Sequence, residues 1–170
     1  LFLAAWPRGT AAGELLSEPI IDDTPPRNRG VNAEWWLEVV RRAAFVPTRI
    51  FVEAFVKPVT RAAQCALWFF IPEQFRQTPN ASDGVFISHA WDLSMWDIRP
   101  EQGSIVWLDT LAIVQHRAAV PDGASAGEAY PELMDLVPTV QMIANTLLIL
   151  GGDAWHGLLP LARSWCCFEV

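Results

Sequence analysis

A chain of 170 residues that is 52% hydrophobic and 18% charged is long enough for one domain plus an extension and too apolar to be disordered. Its formal charge is −7, and positions 81–170 hold three basic against eleven acidic residues, the wrong sign for a nucleic-acid footprint. Three cysteines, two of them adjacent at Cys166 and Cys167, make neither a disulfide framework nor a paired metal-ligand spacing and suit a reducing, cytoplasmic compartment.

Residues 1–33 carry Pro7, Gly9, Gly13, Pro19, Pro25, Pro26 and Gly30 with little hydrophobic periodicity, and read as a linker or disordered arm. The absence of an initiator Met suggests a fragment of a longer chain. Leu1 to Trp6 is too short for a signal-peptide core. From Glu34 the pattern turns helical: Trp35, Trp36, Val39, Val40 and Ala43 recur on one face, and Ile50, Phe51, Ala54 and Phe55 repeat it after Pro47. Thr48 is the expected N-cap of this second helix and Pro58 lies near its end. A third helix is expected from Thr60 through Phe70, with Trp68, Phe69 and Phe70 as a docking face. Residues 34–78 thus read as a helical extension. The most apolar run, 62–71, contains Gln64 and stops at Pro72, well short of the roughly 20 residues a membrane span needs.

After the polar turn 79–84, Val85-Phe86-Ile87-Ser88 reads as a short buried strand, followed by His89-Ala90-Trp91. A second strand is expected over 104–109, a long loop between Gln115 and Pro131, a helix over 133–144 that tolerates Pro138, and a third strand over 146–150. A last helix starts near Leu159 or Pro160. Apolar strands alternating with helices imply a parallel α/β sheet covered on both faces, with ligands at the carboxyl ends of the strands. That rim holds His89, Trp91, the loop after Asp109 and the turn after Leu150.

The run Ser164-Trp165-Cys166-Cys167-Phe168-Glu169 carries the sharpest candidate chemistry. On a helix, Trp165 and Cys166 share a face with Glu169, so a carboxylate sits beside an indole and a thiol. Such burial raises a carboxylate's pKa and suits a catalytic acid, base or electrostatic stabiliser. The competing reading is a core-facing tryptophan and cysteine with a glutamate at the helix edge. Weaker candidates are a metal cluster of His89, His116 and His156 with Asp109 and Asp153, which lacks paired ligand spacing, and Cys166 or Ser88 as a nucleophile. No metal is expected. Gly151-Gly152-Asp153 lacks the spacing of a phosphate-binding loop.

Phe86-Ile87-Ser88-His89-Ala90-Trp91, then Trp107-Leu108-Asp109 with Gln115-His116, then Ser164-Trp165-Cys166 with Glu169, resemble a TIR or TIR-like domain of the "FISHAW" type found in multidomain proteins of algae, oomycetes and other protists. The similarity covers roughly residues 45–170, with Val59-Thr60 and Cys65 resembling the helical segment that often precedes it. The resemblance implies a flavodoxin-like sheet over 79–170, truncated at its C-terminus. Ser88 would lie on its first strand, Asp109 on its second, and the loop over 115–131 would correspond to the family's BB loop. It further implies a signalling module that associates with itself or with other TIR-like domains. In members that cleave NAD+, the glutamate matched by Glu169 is catalytic. NAD+ would then be a substrate lying against Ser88, His89, Trp91, Asp109 and Trp165, with no separate cofactor, and a carboxylate near the ribose would stabilise an oxocarbenium-like state. The alternative is a non-catalytic interaction module. Only about twelve residues separate Trp91 from Ser104, so the helix normally found between the first two strands is expected to be shortened or lost.

Overall fold

The computed structural model describes residues 23–43, 45–116 and 131–150. Five strands, β1 (Gly30–Asn32), β2 (Arg76–Gln77), β3 (Gly84–His89), β4 (Ile105–Trp107) and β5 (Thr146–Ile149), form one sheet in the order β2-β1-β4-β3-β5. β4, β3 and β5 are parallel, whereas β1 runs antiparallel to both β4 and β2. The fold is α/β, but the sheet is mixed rather than wholly parallel. The reason lies upstream of the expected strands: residues 30–32, read as part of an arm, extend the sheet beyond β4, and a two-residue strand after Phe75 pairs with them.

Helix α1 (Ala33–Ala43) follows β1 directly. Asn32 caps it through its Oδ1, which accepts from the Trp35 N–H at 2.8 Å. Glu34 in the first turn and Arg41 and Arg42 in the last complement the helix dipole. Its buried face is Trp35, Trp36, Val39, Val40 and Ala43. Helix α2 runs as an α-helical turn Thr48–Phe51, a π-helical stretch Val52–Val56 and a second turn Lys57–Thr60. Thr48 is not the N-cap. Pro47 occupies that position with no side-chain cap, and Thr48 is the first helical residue, its Oγ1 donating to the Leu93 carbonyl at 3.4 Å. Pro47, with φ −58° and ψ 142°, is still non-helical as an N-cap residue is, so the helix begins at Thr48, one residue earlier than expected.

The expected helix over 60–70 does not form. α2 ends at Thr60, Gln64 takes a left-handed φ of 49°, and a separate 3-10 turn, Leu67–Phe70, buries Leu67, Trp68 and Phe69. The Trp68 indole donates to the Gly30 carbonyl at 2.8 Å, so Trp68 docks on the start of β1.

Two apolar layers flank the sheet. On one face, α1, α2 and the 67–70 turn pack with Ile87, Val106, Leu108 and Ile149. On the other, Phe86 and Trp107 stack at 4.8 Å and 13° against Ala112, Ile113, Leu136 and Ile143. Strand alternation assigns these faces: Phe86 and Ser88 share one, and Ile87 and His89 share the other. The shorter helix α3 (Asp109–Ala112) follows β4, and α4 (Leu136–Ile143) precedes β5, ending at Ala144 with φ 61°. Pro138 sits in the first turn of α4, where its missing N–H costs nothing.

The connection over 92–103 carries only a 3-10 turn, Met95–Asp97. Its place on the sheet is taken by α1. The Trp36 indole donates to the Ile98 carbonyl at 3.0 Å, and Glu34 Oε1 accepts from the Gly103 N–H at 2.8 Å. Residues 34–78 therefore supply the layer that the short crossover leaves open. No described helix is long and apolar enough to cross a membrane.

Candidate functional site

β3 ends the way a buried parallel strand must, with Phe86, Ile87, Ser88 and His89 all inside. Ser88 pairs in register with Leu148 and His89 with Ile149, so both stand at the carboxyl rim between β3 and β5. Ala90 and Trp91 turn the chain over the top of the sheet. There the Leu93 carbonyl accepts from the Thr48 N–H at 3.0 Å and the Trp91 carbonyl from the Arg49 N–H at 2.8 Å, so α2 holds the turn down.

Asp109 begins α3 rather than ending β4, because Leu108 is the last extended residue before the helix. This start places the carboxylate at the helix N-terminus, where the dipole favours it. Its Oδ1 accepts from the Thr110 N–H at 2.7 Å, and its Oδ2 accepts from the Trp91 indole N–H at 3.1 Å. The rim residues expected from sequence, Trp91 and Asp109, are thus joined directly. Gln115, only 8% exposed, reaches back and donates to the Asp109 carbonyl at 2.9 Å and the Ile113 carbonyl at 3.1 Å. The start of the long loop is therefore bound to the same helix.

Two hydroxyls here, Ser88 Oγ and Thr110 Oγ1, are buried and find no hydrogen-bond partner among the described residues. Leaving such a group unsatisfied costs about 1–3 kcal/mol, which makes each a group that a bound polar ligand or water would satisfy. Ser88 follows from the sequence as a strand-end residue. Thr110 and Gln115 were not singled out as site residues; the signal for them was their position directly after Asp109 and before His116.

The far end of the loop is fixed from below. The Arg29 guanidinium is almost fully buried, lies 4.8 Å from the Phe69 ring centre, and donates to Thr24 O at 2.9 Å, Ala112 O at 2.8 Å and Glu132 Oε1 at 2.5 Å. Glu132 Oε2 accepts from the Val114 N–H at 2.6 Å. Beside it, Asp135 accepts from the Arg27 N–H at 2.9 Å and its guanidinium at 2.7 Å, and the Trp107 indole donates to Pro26 O at 2.7 Å. Residues 24–29 thus strap both stems of the loop to the sheet. Composition alone gave Arg27 and Arg29 no more weight than any polar residue of a Pro-rich arm.

His116 Nε2 lies 2.9 Å from Thr60 Oγ1. That hydroxyl spends its hydrogen on the Val56 carbonyl at 2.8 Å, so His116 is the donor. Burial, with Lys57 and Arg61 nearby, holds its pKa below the ordinary value. Cys65 shares the core with Arg29 close by. Burial pushes its thiol up, and the guanidinium opposes that shift without cancelling it.

Glu169, Trp165, Cys166 and Cys167 lie outside the described residues, as do His156, Asp153 and positions 117–130 of the loop. The structure therefore brings together Ser88, His89, Trp91 and Asp109 at one rim, and the Trp-Cys-x-x-Glu motif has no described place in it. Among the described residues no three His, Cys, Asp or Glu side chains gather as metal ligands would. No family model, curated protein or solved structure matches the chain.

Proposed function

We propose that this chain is a TIR-like signalling module that acts by self-association. The observation that carries the reading is the order β4-β3-β5, in which the first parallel strand in sequence lies between the second and the third. This order is compatible with the opening of a flavodoxin-like sheet, in which the switch point would lie at the carboxyl ends of β3 and β5, beside Ser88 and His89. Trp91 and Asp109, bonded to each other, close the neighbouring edge of this rim. The strapped stems of the 115–131 loop fit a segment that must be presented in a fixed place to a partner.

A second reading is NAD+ cleavage by the assembled module, with Glu169 as the acidic residue. The buried, unsatisfied hydroxyls of Ser88 and Thr110 favour it, since a ribose supplies both donors and acceptors to such groups. The pyridinium of NAD+ is already a good leaving group, so a carboxylate that stabilises the oxocarbenium-like state is sufficient chemistry. Both readings meet in one experiment: sedimentation velocity across a concentration series, with nicotinamide release from NAD+ measured on the same samples and on Glu169→Ala. Association without release supports the interaction module. Release that disappears in a folded Glu169→Ala chain establishes the enzyme. A wild-type chain that stays monomeric and inert at every concentration overturns both.

A further inference from the structure

The segment that straps the loop stems has two unequal halves. Arg29 forms the inner one: it is almost fully buried against Phe69, held by Thr24 O, Ala112 O and Glu132 Oε1, and followed directly by the buried Gly30 and Val31 of β1. A Cβ on Gly30 would lie 2.7 Å from Ile105 Cγ2 and 2.9 Å from the Gln77 carbonyl oxygen, so the chain is tightly packed where it enters the sheet. The outer half, Thr24 to Asn28, contains no fully buried residue. It is bonded to the fold through the Arg27 N–H, which donates to Asp135 Oδ2 at 2.9 Å, the Arg27 guanidinium, which donates to Asp135 Oδ1 at 2.7 Å, and Pro26 O, which accepts from the Trp107 indole at 2.7 Å. The Arg27 side chain is 43% exposed, so water and salt reach the pair.

What the outer half holds is Asp135. This residue ends the 3-10 turn Pro131–Asp135, which is the far stem of the loop, and its carbonyl accepts from Thr139 Oγ1 at 2.6 Å in the first turn of α4. The helix itself is anchored apart from the strap, by Leu136 and Ile143 in the second apolar layer. Releasing Arg27 therefore leaves α4 in place and, among the described residues, leaves the stem tied to the strap through Glu132 and Arg29. A segment held by exposed polar contacts opens at a lower free energy than the core beside it.

We infer that residues 24–28 are a latch, which opens outside Arg29 while the sheet stays folded, and whose closed state fixes the 131–135 stem for self-association. The inference rests on the self-association reading and adds its control. A stem ordered before contact loses less freedom on binding, so the closed latch favours association and the open one opposes it. The Arg27–Asp135 pair is the part of the latch that salt or a change of charge can reach, whereas Arg29 stays seated as the fixed end.

The test is hydrogen exchange on the full chain, dilute enough to be monomeric, at low and high salt. The Arg27 amide reports the latch, the Val114 amide, bonded to Glu132, reports the inner half, and the Phe86 amide, bonded to Asn145 O, reports the sheet. Protection at Arg27 about tenfold or more below that of the other two, falling further with salt at Arg27 alone, supports the latch. Asp135→Asn keeps an acceptor for the amide but not the charge, so the salt response should vanish in it. Sedimentation velocity then compares the wild type with Arg27→Glu, Arg27→Lys and Asp135→Asn, each shown to be folded by circular dichroism. Association that falls about fivefold or more in Arg27→Glu, falls in Asp135→Asn and is largely kept in Arg27→Lys supports the control. An Arg27 amide as protected as Phe86, or indifferent to salt, overturns the latch. Association unchanged in Arg27→Glu overturns its control of assembly. A wild-type chain that never associates overturns the self-association reading, and the exchange data then decide the latch by themselves.

Discussion

The Trp91 indole N–H donates to Asp109 Oδ2 at 3.1 Å, joining the turn after β3 to the first residue of α3. One oxygen of the carboxylate therefore serves Trp91 and the other serves the Thr110 backbone. Asp109→Asn replaces one of these acceptors with a donor, so one N–H must face an NH2 group. We expect a loss of about 1.5–3 kcal/mol, and about 1 kcal/mol for Trp91→Phe, which keeps most of the ring but not the donor. Chemical denaturation of both variants checks the order; a Trp91→Phe loss larger than that of Asp109→Asn would show that packing, not the bond, holds the rim.

Arg29 reaches Thr24, Ala112 and Glu132 from a buried position. Arg29→Met keeps an apolar stem against Phe69 but strands the Glu132 carboxylate, so a loss of about 3–5 kcal/mol is expected. Pairing it with Glu132→Met should recover much of that loss, because the unpaired charge is then gone. Hydrogen exchange at the Val114 amide should rise in both, since Glu132 is its acceptor. Unchanged exchange at Val114 would show that the strap does not hold the loop stem.

Gly84 starts β3, and a Cβ there would lie 2.4 Å from Asn80 O and 2.9 Å from Asn80 N, both backbone atoms. Gly84→Ala must push the 80–83 turn off the sheet edge, where Gly84 N donates to Asn80 O at 2.8 Å. A lowered melting temperature is expected, against little change for Ala81→Gly at the exposed turn. Equal effects of the two would mean that the turn yields freely.

His116 has its pKa lowered by burial and by Lys57 and Arg61, so the unfolded chain binds its proton more readily than the folded one. Its contribution to stability is fully present above the ordinary value of 6.5 and is lost as pH falls from there toward the lower folded value. His116→Gln keeps a donor toward Thr60 without titrating. The difference in stability between wild type and His116→Gln should therefore be flat above this window and turn against the wild type as pH falls through it. A difference independent of pH would remove His116 from the acid response.

Local pattern determined much of what is described. The periodicity of Trp35, Trp36, Val39 and Val40 sets α1, the apolar run 85–88 sets β3, and the run beginning at Thr146 sets β5, because burial of one face or of both is written in residue spacing. The rim was legible for the same reason: a strand end followed by His89 and Trp91 needs no knowledge of partners. What spacing does not contain is pairing between distant segments. β1 and β2 are three and two residues long and take their strand character from a neighbouring edge. The helix expected over 60–70 gives way to a left-handed Gln64 and a 3-10 turn whose Trp68 indole reaches the Gly30 carbonyl, a partner 38 residues away that local spacing does not show. Above all, only the tertiary structure decided that α1 would roof the helix-poor crossover, and that two arginines of an arm-like segment would hold the stems of a loop over 80 residues away. Burying Trp36 and satisfying Arg29 both depend on groups that sequence distance hides and the folded chain brings within hydrogen-bond reach.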